Sequence, residues 1–553
     1  MNRLSYRSAA ALAGAVLLPL LLAGCDTVPR AQQAALANQA WVADLGDGRY
    51  KNPVLHADYS DPDAIRVGDM FYMTSSSFNS APGLPLLASR DMVNWELVGH
   101  ALPRQVPDAH FSVPRHGDGV WAPCLRYHDG KFWIFYPDPD FGIYVITADK
   151  FEGPWSAPRL LLAGKGLEDP TPLWDDDGQA WLLHGWVKSR AGINNLLTLR
   201  RMAPDASRVL DEQGETIIDG GKLPNYRTLE GPKFYKNEGW YYVFAPAGGV
   251  EEGWQAVFRS RSIHGPYEVR TVMDQGNSPV NGPHQGAWVR AQDGADWFLH
   301  FQDKGAYGRV VHLQPMRWAD GWPIIGEDGP HPGTGQPVLT HAKPVAGMPV
   351  KVPATSDEFD APVLGLQWQW NANPQPGWYS LAERPGTLRL HTVVAPEAAG
   401  YVRATPSILA QKLPAPAFVV NTHLQLNDAA DGDRAGLIVN AMQYAWIGLR
   451  KSGDATQLVY TTCSPAKQRC TEAPTVVLEH APSSLYLRMQ MSEGAVARFA
   501  YSLDNSNFVT VGQPFGVSKG RWVGAQVGLF SVGDKPGAAQ SSADFDYFRV
   551  TAH

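Results

Sequence analysis

Four cysteines in 553 residues are too few to staple the fold, and a chain of this length can bury about two to four cores without them. No Cys/His spacing resembles a zinc site. Charged residues make up only 18%, and a net charge of −7 gives no electrostatic reason to bind nucleic acid or anionic lipid. Sustained helical periodicity is missing between the strand-like runs of the first half. What is abundant points the other way: 44% hydrophobic residues with 54 Gly and 44 Pro suit a loop-rich, mostly β chain. The 19 Trp, 20 Tyr and 20 Phe exceed ordinary packing needs. They supply either large aromatic cores or ring faces for sugar C–H groups, and composition leaves both open.

The N-terminus is more specific. Basic MNRLSYR precedes apolar AALAGAVLLPLLLAG and Cys25, the pattern of a secretion signal rather than a spanning helix. Leu22-Ala23-Gly24-Cys25 resembles a bacterial lipobox, which implies an exported protein lipidated on Cys25 and touching the membrane only through that anchor. Asp26 resembles an inner-membrane retention signal of some bacteria. Residues 1–25 are read as signal and 26–49 as a polar tether. Cys463 and Cys470 flank the polar loop SPAKQR and are expected to form a disulfide across a hairpin. Cys124 reads as a small buried hydrophobe.

A motif recurs five times: SDPDAIRVGDMFYMTSS, WAPCLRYHDGKFWIFYP, EDPTPLWDDDGQAWLLH, LEGPKFYKNEGWYYVF and NGPHQGAWVRAQDGADWFLHF. Each carries an X-Pro, a short strand, a Gly/Asp turn and an aromatic strand. The aromatic strands start near Phe71, Phe132, Trp181, Trp240 and Trp297, roughly fifty to sixty residues apart, a propeller-blade period. Five blades are expected. Proline suits the first residue of each innermost strand, which can spare its amide hydrogen. The residues beside the prolines then converge on the axis, and three are acidic: Asp61, Asp169 and Glu230. One carboxylate to activate water, one acid to protonate a leaving oxygen, and a third to raise that acid's proton affinity are what glycosidic hydrolysis needs. Single Asp-Pro or Glu-Gly-Pro sites are ordinary turns; three at equivalent repeat positions favour the functional reading.

KNPVLHADYSDPDAIRVGD, GLEDPTPLWDDDG and TLEGPKFY together resemble glycoside hydrolase family 43, over roughly Asn52 to His553. The resemblance implies an inverting five-bladed propeller enzyme acting on arabinose and xylose linkages. It puts the general base on Asp61, the pKa modulator on Asp169 and the general acid on Glu230. Inversion in turn implies base and acid carboxyls roughly 6.5–9.5 Å apart. It also implies sugar-facing aromatics at Phe78 and Trp121, a substrate arginine at Arg309, and His284 beside an axial cation, often calcium, although histidine is not a typical calcium ligand. Asn79-Ser80-Ala81 replaces a bulkier rim segment of the xylosidases. Asp63 reads as a turn acid, Asp138 and Asp140 as rivals for the modulator role, and Asp175 to Asp177 as a solvated hairpin turn.

The propeller is expected over residues 50–340, a Pro/Gly-rich linker over 341–354, and a β-sandwich over 355–553, where short alternating runs such as TLRLHTVV and SLYLRMQM recur. DEFDAPVLGLQWQW and FDYFRV resemble the sandwich appended to many family 43 xylosidases and arabinofuranosidases, read here as a cap that shapes the pocket rim. The expected activity is exo-release of terminal pentose, α-L-arabinofuranose slightly ahead of β-D-xylose, from hemicellulose oligosaccharides, with no cofactor needed for the chemistry. An endo-arabinanase and a non-catalytic glycan-binding lipoprotein are the alternatives.

Overall fold

Five four-stranded antiparallel units succeed one another along the first half of the chain, in the computed structural model that describes residues 38–211, 213–394, 401–466, 469–534 and 541–553. The side chains of residues 465–470 also lie outside that description, as do the signal peptide, Cys25 and the first part of the tether. The innermost strands of blades 1 to 5 are Asp63–Val67, Cys124–His128, Leu167–Trp174, Lys233–Asn237 and His284–Arg290. Each pairs with the aromatic strand that follows it. Two of the connecting turns explain the HDGK and NEGW signals. Asp129 and Gly130 (φ 49° and 73°), like Glu238 and Gly239 (51° and 73°), are both left-handed, as two-residue hairpin loops matching sheet twist require. The aromatic strands are buried because neighbouring blades cover both faces: every residue of Phe132–Asp138 is buried.

The assignment of residues 26–49 to a tether needs correction at its end, because the folded unit starts at Gln39. Ala43 is buried, Lys51 sits 4.1 Å over the Trp41 ring, and Lys343 Nζ meets Asp44 Oδ2 at 2.6 Å in a buried ion pair. Thr340–Ala342 pairs with Arg49–Lys51, so the propeller extends past residue 340. Glu327–Asp328 and Gly335–Gln336 add two short strands to blade 4.

Beyond the linker two antiparallel-dominated sheets, of eight and seven strands, make the β-sandwich. Phe418–Asn427 and Ser484–Ser492 alternate strictly between buried and half-buried residues, as strands with one face on a core must. That core also takes in Ala306, Tyr307 and Val310 of the propeller, so the two domains share apolar packing. Backbone bonds reinforce the junction: Ala81 and Trp370 exchange N–H···O bonds of 3.1 and 2.6 Å, and Ala525 N donates to Ala306 O at 2.7 Å. Cys463 is disulfide-bonded. Cys124 is fully buried with its thiol pushed up to about 11 by burial, as a packing residue would be. Among the described residues no helix is long and apolar enough to cross a membrane.

Candidate active site

The entry to each innermost strand is a backbone device. Asp61, Asp169 and Gly231 precede Pro62, Pro170 and Pro232 with φ of 54°, 52° and 58°. Proline bars its predecessor from the right-handed helical region, and the left-handed one normally belongs to glycine. Asp61 and Asp169 hold it without that freedom, strain of a kind concentrated at functional positions. Glu230 stands one residue earlier in this register, level with Ser60 of blade 1 and Glu168 of blade 3.

Asp61, Asp169 and Glu230 all line one cavity of about 300 Å³. Asp61 Oδ1 accepts from Arg309 Nη1 at 2.9 Å, and its Oδ2 accepts from Ser60 Oγ and Ser76 Oγ at 2.8 and 2.5 Å. The Arg309 guanidinium also lies 4.8 Å over the Phe301 ring, so Asp61 is held by a group that is itself fixed. Asp169 Oδ2 accepts from Gly231 N at 2.7 Å, tying blade 3 to the backbone just after Glu230. Burial, and after it the charge of Glu230, pushes the Asp169 carboxyl up to about 7. Glu230 Oε1 meets His284 Nε2 at 3.0 Å.

Phe78 and Trp121 line the same cavity with ring centroids 6.2 Å apart. Trp121 Nε1 donates to Gly117 O at 3.0 Å, which leaves its ring face for packing. Arg309 lines the cavity as well as gripping Asp61. His284 reaches the site through Glu230. Its Nδ1 is buried without a partner, but a single imidazole nitrogen does not fit calcium, which takes oxygen ligands. Among the described residues no group of three His, Cys, Asp or Glu could hold a metal ion.

Several acids differ from their sequence reading. Asp63 is no turn acid. It is fully buried at the start of a blade 1 strand, accepting from Leu125 N at 2.7 Å and facing Arg126 Nη1 at 3.0 Å and Lys233 Nζ at 3.5 Å. Asp175 is likewise not a solvated turn residue, since it binds Lys236 and the Tyr241 hydroxyl of blade 4. Asp138 and Asp140 lie outside the cavity lining; Asp140 pairs with Arg190 at 3.3 Å, and burial pushes Asp138 up to about 8.

Among the cavity residues that escaped the sequence reading are Glu168 and Trp522. Glu168, like Glu230, stands two residues before a proline, but in blade 3 the acid picked out by the motif is Asp169, which lies between. Trp522 comes from the sandwich, in the loop KGRWVG, where no periodicity singles it out. Its indole is 47% exposed, packs edge-on to Trp121 at 6.3 Å, and lines the cavity. A lone exposed tryptophan between glycines was the available signal. Its loop is anchored by Asp58, whose Oδ2 accepts from Gly524 N at 2.8 Å while its Oδ1 accepts from Arg309 N at 2.9 Å. One buried carboxyl thus joins the sandwich loop to the arginine that holds Asp61.

Carboxyls from three blades around a small aromatic-walled pocket, roofed by a second β domain, define a glycoside hydrolase. The comparisons name the particular kind. Residues 50–323 match glycosyl hydrolases family 43, and residues 356–551 match the β-xylosidase C-terminal concanavalin A-like domain. The chain is 32% identical to a β-xylosidase of Formosa agariphila over 96% of both chains. It is 28% identical to a non-reducing end α-L-arabinofuranosidase of Bacteroides ovatus over 92% of this chain and 96% of that one. Xylan β-1,4-xylosidase from Bacillus halodurans superposes with a TM-score of 0.78 at 26% identity, covering 91% of this chain and 99% of that chain. The chain belongs to glycosyl hydrolase family 43.

Proposed function

We propose that this protein is an exo-acting, inverting glycosidase that removes terminal β-D-xylose or α-L-arabinofuranose from hemicellulose-derived oligosaccharides. The observation that carries the reading is the roofed cavity of about 300 Å³ lined by acids of blades 1, 3 and 4. Asp61, oriented by Arg309 and two serine hydroxyls, takes the proton of the attacking water. Glu230 delivers a proton to the departing oxygen. Asp169, which feels the charge of Glu230 and is bonded to the Gly231 amide just after it, positions that acid. A Trp522 roof favours a pocket for a chain end over the open groove that an endo-acting enzyme needs. The names of the relatives, xylosidase and arabinofuranosidase, support both pentoses as substrates. A panel of aryl pentosides, read for rate and for the anomer first released, tests this: an inverted monosaccharide is expected, and retention or internal cleavage of linear arabinan refutes it.

Export and lipidation at Cys25 belong to the same proposal. The lipobox-like run and the disulfide at Cys463 both suit an oxidising compartment outside the cytoplasm. Wild type should partition into the detergent phase of Triton X-114 and Cys25→Ser into the aqueous phase; equal partitioning excludes the anchor.

A further inference from the structure

Glu168 is the blade 3 counterpart of Glu230: Glu168-Asp169-Pro170 and Glu230-Gly231-Pro232 occupy the same stretch of the repeat. It is only 5% exposed, yet it lines the cavity beside Asp61, Asp169 and Glu230. Its backbone pairs with Gly185 on the aromatic strand, and a Cβ there would lie 3.3 Å from Glu168 Cγ and 3.6 Å from Oε1. The neighbouring strand therefore leaves this side chain its space. Among the described residues no hydrogen bond or ion pair reaches the Glu168 carboxyl, and neither oxygen is sealed from the cavity like the unpartnered buried atoms elsewhere in the molecule. A buried polar group left without a partner is costly, so one aimed into a pocket is expected to find its partner in the ligand.

Burial, and then the charges of Asp169, Glu230 and Asp61, push this carboxyl well above the usual range. A carboxyl offers an oxygen to accept and, when protonated, an O–H to donate. A sugar hydroxyl offers the complementary pair. We propose that Glu168 is a substrate-binding residue of this pocket, whose carboxyl hydrogen-bonds a hydroxyl of the terminal pentose and makes the site selective for it. The inference rests on the glycosidase reading of the cavity. It assigns Glu168 no proton transfer to the scissile bond.

The test is a cycle of Glu168→Gln and Glu168→Ala against monodeoxy aryl pentosides, with calorimetric binding of free xylose and arabinose. Gln keeps a donor and an acceptor and should stay within about fivefold of wild type in kcat/KM, whereas Ala should lose roughly ten- to a hundredfold and weaken monosaccharide binding. One deoxy sugar should cost wild type about as much as Glu168→Ala does, and should cost Glu168→Ala nothing further. Equal losses by Glu168→Ala on every deoxy substrate, or unchanged monosaccharide binding, overturn the proposal. If wild type hydrolyses only glycosides of another sugar, the pentosidase reading fails separately, and the same cycle on that sugar's deoxy series decides the role of Glu168.

Discussion

Asp58→Asn tests whether the sandwich domain works through the Trp522 loop. Asp58 is buried and gives one oxygen to Arg309 N and the other to Gly524 N, at 2.9 and 2.8 Å. Asparagine keeps one acceptor, so one of those N–H groups must face an NH₂. An unsatisfied buried donor costs about 1–3 kcal/mol. Lys412 adds little beyond that. Burial raises Asp58 and lowers Lys412, both toward neutrality, so the pair does not warrant the roughly 3–5 kcal/mol of a broken buried ion pair. Arg309 opens a paired strand, whereas Gly524 lies in a loop, so its N–H is the one expected to lose its partner. The loop therefore yields and carries Trp522 off the cavity. In kcat/KM on an aryl pentoside, about 1–3 kcal/mol corresponds to a loss of roughly fivefold to 150-fold, with little change in thermal midpoint. Trp522→Ala should cause a similar loss, and the double variant should be scarcely worse than the worse single one. Losses that multiply to within about twofold would refute the argument, because independent sites are additive to roughly 0.3–0.5 kcal/mol.

With Asp169 raised to about 7, ionisation of that carboxyl should give kcat/KM an inflection near neutrality, and Asp169→Asn should abolish it while lowering the maximum. The stability sign is opposite to the usual one for a carboxyl. The folded state holds this proton more tightly than the unfolded chain, so the contribution is fully present below the ordinary value of 3.8 and is lost as pH rises through about 7. Thermal midpoints of wild type and Asp169→Asn across pH 4 to 8, compared as a difference, check it. Glu230→Gln should lose on the order of 10²–10⁴ in kcat on a natural oligosaccharide and much less on a dinitrophenyl pentoside, whose leaving group needs no proton; an equal loss on both denies the acid role. Lys233 is buried, donates to Pro123 O at 2.8 Å and faces Asp63, linking blades 4, 2 and 1. Lys233→Ala should destabilise the propeller by about 3–5 kcal/mol in denaturant titration, and a loss below about 1 kcal/mol would show the cluster to be dispensable.

The blades were legible because each repeats one local rule: proline at strand entry, a Gly/Asp turn, then an aromatic strand. The same rule found Asp61, Asp169 and Glu230, and hid Glu168, since it picks one acid per strand entry and Asp169 fills that place in blade 3 although the repeat aligns Glu168 with Glu230. Asp63 and Asp175 were misjudged because their surroundings, DPD and DDDG, read as turns, while their partners Arg126, Lys233, Lys236 and Tyr241 come from later strands and other blades.

The order of residues alone determined a five-bladed propeller, a second β domain and three acids at strand entries, because hydrophobic period, turn chemistry and proline geometry act over a few neighbours. Only the tertiary structure decided that Trp522 roofs the pocket, that Asp58 ties its loop to Arg309, and that Glu168 lines the cavity with no partner among the described residues. Those facts depend on which surfaces meet across blades and domains, and contacts between residues hundreds of positions apart leave no period to read.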